Sequence, residues 1–500
     1  TCSVVCLLPQ AHSNKLRLVA LQLLCFISLW CLGAQRKGMV IFMKVWKQGL
    51  AIFIAVMMAV NFEACTSQED NGSNSPSDIV LEFSCWETGV ARETLETTIR
   101  QFEDKNPGIT VHINFLPADY LVKMTAMSVS DSLPDLGYFV EYATLQWAQN
   151  DKFLDLSDLF QKEPLKNKLD MIRFIDSDGK TIAAGIANEV ALLFYNKTLF
   201  DEAGVSYPPA SVENAWTWDQ LVQTARILTK DRNENNANSP DFDPKRIATY
   251  GINLPKNNLI YETLMWSNGG GIVDYKTEEI LFDSPETIEV LKAIQDLIHT
   301  HHVAPTPVMQ GTMPVMSAAL ASGSMAMTID MQHNITFLGE AAKTEGLNYG
   351  IGVLPIFKEA VSVNSGSPLV IFKSTKHPEE AKKLFTYLMN PSNVLPLLNN
   401  GLWMPNEEEW YTNESYIEQW VKEEVHGSEY RTAVIDYTIS GSVKQNPFYY
   451  YPYQLHLLGA VGPAIDEIYL NTATPATAAQ KGAENLKEAI EYIHSPDFQG

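Results

Sequence analysis

Apolar and polar positions change rhythm several times along this chain, and the changes mark its elements. Ile79 to Phe83 is a short apolar run that reads as a buried strand. Leu95, Ile99 and Phe102 then recur at helical spacing until Asn106-Pro107-Gly108 ends the helix, and Val111, Ile113 and Phe115 alternate with polar residues. Strand, helix and strand in close succession make a βαβ unit and predict a parallel sheet.

The stretch from Ala183 to Asp201 organises the rest. Two apolar segments flank Asn188-Glu189, and Tyr195-Asn196-Lys197 leads into a helix. An acidic side chain therefore sits where the backbone leaves one apolar layer for another, which places a crossing between two lobes there. Further strands are expected at Leu136 to Val140, Met325 to Ile329, Tyr349 to Pro355 and Leu369 to Phe372, the last preceded by Ser365-Gly366-Ser367 as a further crossing. Among the helices, Thr217 and Gln220 have capping-box spacing with Trp216 and Leu221 placed as a staple, so Trp216 and Trp218 are assigned structural roles. Tyr261 to Gly271 ends on a glycine cap, Ser284-Pro285 opens a helix striped by Ile288, Leu291, Ile294 and Ile298, and Pro378 to Met389 is amphipathic. Thr474-Pro475 starts a last helix striped by Ala479, Ala483, Leu486, Ile490 and Ile493.

Composition changes this picture in two ways. With 500 residues, 46% of them hydrophobic and 19% charged, the chain is long enough for two or three packed bodies and carries no general bias to disorder. Its net charge is −23, and residues 1–64 hold six basic residues against one Glu, so the remainder is more anionic still. Such a body repels phosphates, which excludes nucleic acid as a partner. Of the six cysteines only Cys85 follows Cys65, so no disulfide can form within residues 66–500.

The N-terminal region reads as targeting sequence. Residues 1–42 are expected to be an upstream extension, with a membrane helix as the alternative. Residues 43–64 have a basic start (Lys44, Lys47) and an apolar core from Leu50 to Val60 too short to span a bilayer. Phe62-Glu63-Ala64-Cys65 resembles a lipoprotein box, which implies a lipid on Cys65; Phe62 and Glu63 depart from the usual pattern. Thr66 to Asp78, thirteen polar residues within the tether 65–78, would reach about 40 Å.

Together with Trp216-Thr217-Trp218, Gly323-Ser324-Met325-Ala326-Met327 and Lys376-His377-Pro378-Glu379-Glu380-Ala381, the Asn188-Glu189 stretch resembles the extracellular solute-binding proteins of carbohydrate ABC importers, the group that includes maltose-binding protein. The resemblance runs from Ile79 to the C-terminus. It implies an α/β, type II periplasmic-binding-protein-like fold: two lobes with doubly wound sheets, joined by a multi-crossing hinge around a ligand cleft. It also implies a return to the first lobe near Met325. The expected division is 79–186 with 325–364 as the N-terminal lobe, and 187–324 with 365–500 as the C-terminal lobe.

Ligand sites of such sheets collect at strand ends and domain junctions. Trp86 and Glu87 follow the first strand, Glu141 and Tyr142 follow another, and Glu189 lies at the crossing; the bland alternatives are a core or rim Trp86 and a solvated Glu189. The resemblance adds Trp266 and Asn268, against core packing as the alternative, and Asp330 and Gln332 at the cleft edge. Gly366 is expected to offer its backbone amide to sugar hydroxyls. Trp403, Tyr450 and Tyr453 are the expected stacking platforms. Asp231, Asn233 and Asn235 have the spacing of a calcium loop, but Asn236 and Phe242 stand where Gly and Glu belong, so an Asn-rich turn is the first reading and Ca²⁺ the alternative. His299, His301 and His302 at a helix end read as partners of its dipole before they read as a metal site.

A saccharide offers flat C–H faces and rings of hydroxyls, which call for aromatic planes beside carboxylates, amides and backbone groups. With these residue types at the expected strand ends, the resemblance implies an exported, lipid-anchored, monomeric binding protein. It would capture a mono- or oligosaccharide and deliver it to the membrane subunits of an ABC permease, with no catalytic residue and no cofactor. An exported glycoside hydrolase using Glu189 and Glu141 is the enzymatic alternative, and a surface adhesin is the third reading.

Overall fold

A computed structural model describes residues 79–498. The extension, signal peptide, Cys65 and tether expected at 1–78 lie outside the described residues. No described helix is long and apolar enough to cross a membrane.

The chain lays down β1 (Ile79–Cys85), β2 (Ile109–Phe115), β3 (Leu136–Tyr138), β4 (Arg173–Ile175) and β5 (Thr181–Gly185), then passes to β6 (Glu189–Asn196). After β7 (Lys230–Asp231) and β8 (Ile247–Thr249) come β9 (Met327–Met331), β10 (Tyr349–Gly352), β11 (Ser362–Ser365), β12 (Pro368–Ile371) and β13 (Val443–Lys444). The first sheet has the order β2-β1-β3-β12-β5-β4, with β1 parallel to β2 and β3. The second runs β10-β6-β11-β13 with β9 also on β6, and β7 and β8 form a separate ribbon.

The expected βαβ unit is present. The helix Gly89–Lys105 buries Leu95, Thr98, Ile99 and Phe102 on the stripe the spacing predicts. The capping box at Thr217 also forms, with the Gln220 backbone N–H donating to Thr217 Oγ1 at 3.3 Å and the Thr217 N–H donating to Gln220 Oε1 at 2.8 Å. Such a cap contributes about 1 kcal/mol.

Every residue of β6 is buried. Val190, Leu192 and Phe194 face one hydrophobic cluster and Ala191, Leu193 and Tyr195 another, as the two-residue period of a strand requires. That two-sided burial explains the unbroken apolar run after Glu189. The first of these clusters also covers one face of the first sheet, through Leu81, Phe83, Leu136 and Ile371. A third cluster, with Phe139, Phe174, Phe372, Phe448 and Tyr449, covers the other face.

The crossings at Asn188 and Gly366 are present, and they touch: the Ile186 N–H donates to the Ser367 carbonyl at 2.9 Å. The return expected at Met325 is not made. Strand β9 pairs antiparallel with β6 from Ala191↔Met331 to Tyr195↔Met327, and β10 and β11 pair with β6 as well. The strands of 325–364 therefore belong to the second sheet, while β12, assigned by sequence to the C-terminal lobe, lies between β3 and β5 in the first. A third passage runs instead from β13 through Pro447–Tyr449 into the helix Gln454–Leu470. Local pattern marks a strand but not the sheet that receives it.

Candidate functional site

The passage from β5 to β6 sets Glu189 opposite Ser365 of β11, while β9 carries Asp330 and, just beyond it, His333 to the same place. His333 Nδ1–H donates to Glu189 Oε2 at 2.7 Å. Burial alone would pull the imidazolium down, but the Glu189 carboxylate outweighs it and lifts His333 to about 9. Asp330 is raised by burial, partly offset by the Met331 N–H that donates to its Oδ1 at 2.8 Å. The alternative of a solvated Glu189 is set aside, since only 8% of the residue is exposed.

Glu141 opens the helix Glu141–Gln149 and points into the crossings. It accepts from the Gly366 N–H at 2.8 Å, from Tyr449 OH at 2.7 Å, from Ser365 Oγ at 3.0 and 3.1 Å and from Asn446 Nδ2 at 3.5 Å. Burial pushes its carboxyl up to about 7 against the pull of these donors. Both oxygens are occupied by the protein, so Glu141 is corrected from a ligand contact to a tie between a first-sheet helix and two crossings. The Gly366 amide is occupied by the same bond. A Cβ at Gly366 would run into the Ala187 carbonyl, which is why the close approach of the two crossings needs glycine there.

Beside this polar group stands an aromatic wall. Trp86 packs edge-on against Tyr120 and Tyr138, with ring centroids 5.2 and 5.4 Å apart, and Tyr138 meets Trp403 at 6.0 Å. Trp403 is joined to the first crossing through its neighbour, because Met404 and Asn188 exchange backbone hydrogen bonds of 3.0 and 3.1 Å. Trp86, Glu189 and Trp403 thus converge on one region, but Trp403 is only 3% exposed. Its faces are covered by the core, so it supports the wall and is not a stacking platform. Glu87, next to Trp86, is 8% exposed and accepts no side-chain hydrogen bond or ion pair among the described residues. Burial pushes it up to about 7. The Tyr138 phenol is wholly buried and has no partner among the described residues. Tyr142 lies in the open and leans on Phe448 at 6.4 Å.

Other expected contacts are not brought here. Trp266 sits in the second-sheet core with Lys444 Nζ 5.7 Å above its ring. Asn268 is buried and donates to the Glu286 carbonyl at 2.8 Å and to Glu289 Oε2 at 2.9 Å, which makes it an anchor between helices. Gln332, also buried, donates to the Gly401 carbonyl at 3.0 Å and to Tyr430 OH at 3.3 Å. The tyrosine-rich run divides: Phe448 and Tyr449 enter the first-sheet side, whereas Tyr450 meets Tyr275 at 6.1 Å. Tyr453 accepts from Gln149 Nε2 at 3.3 Å and lines a separate cavity of about 490 Å³ with Gln149, Asp176 and Phe498. At the calcium-like turn, Asp231 accepts the backbone N–H groups of Asn233, Asn235 and Asp243 and the Asn235 amide, so the carboxylate closes the turn itself. His299 bonds the Tyr469 carbonyl at 2.9 Å and thereby ties two helices.

Sequence reasoning missed Tyr120 and Tyr138, and missed His333 as the partner of Glu189. Tyr138 ends β3 as Trp86 follows β1, so the strand-end signal that selected Trp86 was available for it too.

With this geometry in place, known proteins bear on it. The profile of the bacterial extracellular solute-binding protein family matches residues 88–394. A putative binding protein of Brucella abortus is 25% identical over 381 residues, covering 73% of this chain and 82% of its own. An ABC substrate-binding protein of Listeria monocytogenes, solved in complex with cycloalternan, superposes with a TM-score of 0.68 at 18% identity over 83% of this chain and 99% of its own. The cyclic alpha-maltosyl-1,6-maltose binding protein of Arthrobacter globiformis gives 0.66 at 18% identity, over 83% and 99%. At these identities the structures establish the fold, a type II periplasmic-binding-protein architecture.

Proposed function

This chain belongs to the bacterial extracellular solute-binding protein family, and on that premise we propose that it captures a sugar or oligosaccharide outside the cytoplasmic membrane and delivers it to an ABC permease. The observation that carries the reading is that half-buried Trp86 is joined, through Tyr138 and Trp403 behind it, to the passage between sheets that bears the Glu189 carboxylate. Aromatic planes cover C–H faces and carboxylates accept from hydroxyls, the pairing a saccharide needs. The sugar ligands named for the Listeria and Arthrobacter proteins support the same class. Two sheets joined by adjacent passages suit closure by bending at those passages, and a ligand that fits the closed form better shifts the equilibrium toward it. A lipid on Cys65, followed by the 65–78 tether, would hold the body near its permease.

Against the hydrolase reading stands the hold on its two carboxylates, Glu141 by several protein donors and one oxygen of Glu189 by His333. A thermal-shift screen against a saccharide panel, with analysis for cleavage products, tests the proposal. A raised melting temperature without products is expected. Products, or no shift with any saccharide, would overturn it.

A further inference from the structure

We propose that His333 is a positioning residue for the ligand: it holds Oε2 of Glu189 and so turns the other carboxylate oxygen, Oε1, to a sugar hydroxyl. The inference rests on the saccharide reading above and names the residue through which Glu189 is made ready.

Glu189 opens β6, paired with Ser365 of β11, and His333 lies two residues beyond the end of β9, which pairs with the same β6. The His333 Nδ1–H, 2.7 Å from Oε2, makes the one hydrogen bond to this carboxylate among the described residues. Oε1 receives none from them and still reaches solvent. The Glu189 side chain is 11% exposed and that of His333 39%. The carboxylate therefore lies deep, with one oxygen taken and one open, and the ring that takes the first stands nearer the surface.

The imidazole is itself held. Asn334 Nδ2 lies 3.3 Å from His333 Nε2 and donates to the Met331 carbonyl at 3.2 Å, so the ring meets a partner at both nitrogens. It cannot turn from Glu189 without giving up both contacts. A carboxylate with neither oxygen fixed would offer either one, whereas this one presents Oε1 alone and leaves the ligand less side chain to order. An ionised carboxylate only accepts, so the ligand group it meets is a donor, which a sugar hydroxyl is.

The charged groups that act on His333 are Glu189 on β6 and Asp330 on β9. Among the described residues no other base is paired with either. Burial pulls the ring down, and the Glu189 carboxylate outweighs burial to leave it at about 9. The bond at Oε2 is thus charge-assisted at neutral pH, the stronger kind. A hydroxyl that donates to Oε1 draws on the same negative charge, so a bound sugar lowers the pH at which His333 gives up its proton.

The test takes whichever of maltotriose, arabinotriose and cycloalternan the unmodified protein binds most tightly, and titrates it calorimetrically at pH 7. His333→Leu should bind at least about tenfold more weakly, and His333→Asn, whose amide can still donate to Oε2, should recover most of the loss. In a Glu189→Gln background His333→Leu should weaken binding by less than about threefold, because the carboxylate it positions is gone. A second measurement needs no variant: the midpoint of the His333 ring titration, followed by NMR, should fall when the sugar is bound. A His333→Leu loss of equal size in both backgrounds, a His333→Asn variant as weak as His333→Leu, or a midpoint that the sugar leaves in place overturns this inference and leaves the saccharide reading standing. Failure of every sugar in a wider panel overturns both.

Discussion

Tyr449 donates a 2.7 Å hydrogen bond to Glu141 across 308 residues of sequence. The same carboxylate accepts from Ser365 and from the Gly366 amide, so one side chain at the start of a first-sheet helix grips two of the three passages between the sheets. Its ring stacked on Phe174 at 3.9 Å, Tyr449 cannot swing away to find another partner. Glu141→Ala leaves several buried donors without an acceptor, each at a cost of about 1–3 kcal/mol. The urea midpoint should fall accordingly, with Glu141→Gln recovering part of the loss because one amide oxygen still accepts. An unchanged midpoint in Glu141→Ala would show that the bonds contribute nothing.

The buried titratable groups fix a direction for the pH dependence of stability. Glu262, buried and bonded by Tyr275 and Gln454, is pushed by burial from 4.5 to about 8. A carboxyl raised in the folded state favours folding at low pH, and that contribution is lost as pH climbs from about 4.5 to 8. His333, whose burial is outweighed by Glu189, is raised from 6.5 to about 9, so its contribution is complete below 6.5 and lost as pH rises through 9. Opposing them, burial holds His426 down at about 4, and that residue costs stability as pH falls below 6.5. The melting temperature should therefore decline between pH 6.5 and 9. His333→Asn should flatten the upper part of that decline, and an equally steep slope in the variant would contradict the assignment.

Trp86 and Trp403 should behave differently although both belong to the aromatic wall. Trp403 is a core side chain, and its replacement by Ala should cost about 3–5 kcal/mol in the unliganded protein. Trp86 is half-buried, so Trp86→Ala should cost less stability and remove most of the ligand-induced shift. Comparison of melting curves with and without sugar separates the two roles, and the assignment fails if the variants are interchangeable.

Asp231→Ala should open its turn, since three backbone N–H groups lose their acceptor, and lower stability by about 1–3 kcal/mol. Added Ca²⁺ should leave the melting temperature of the unmodified protein where it is. A calcium-dependent rise that disappears in Asp231→Ala would show the loop to be a metal site after all.

The elements were legible wherever periodicity and capping act locally. The stripe Leu95, Ile99, Phe102, the box at Thr217 and the break at Asn188-Glu189 all appear where residue spacing puts them. What lay beyond the sequence was pairing between distant segments. Nothing in Met327–Met331 announces that its partner is β6. Asn268, Gln332 and Glu141 are polar residues at strand or helix ends, the pattern expected of ligand contacts, yet each is covered by chain from far away that takes up its hydrogen bonds. The converse case is Tyr138, whose phenol is buried and finds no partner among the described residues, which only the packing around it reveals.

The central claim is that a saccharide is held against Trp86 and Glu189 where the chain passes between its sheets. Calorimetric titration of the protein with the best-binding oligosaccharide, repeated with Trp86→Ala and Glu189→Ala, tests it most directly. One site per chain, no cleavage products and at least tenfold weaker binding in each variant is the predicted result. Binding of undiminished affinity in both folded variants would place the sugar elsewhere and contradict the account.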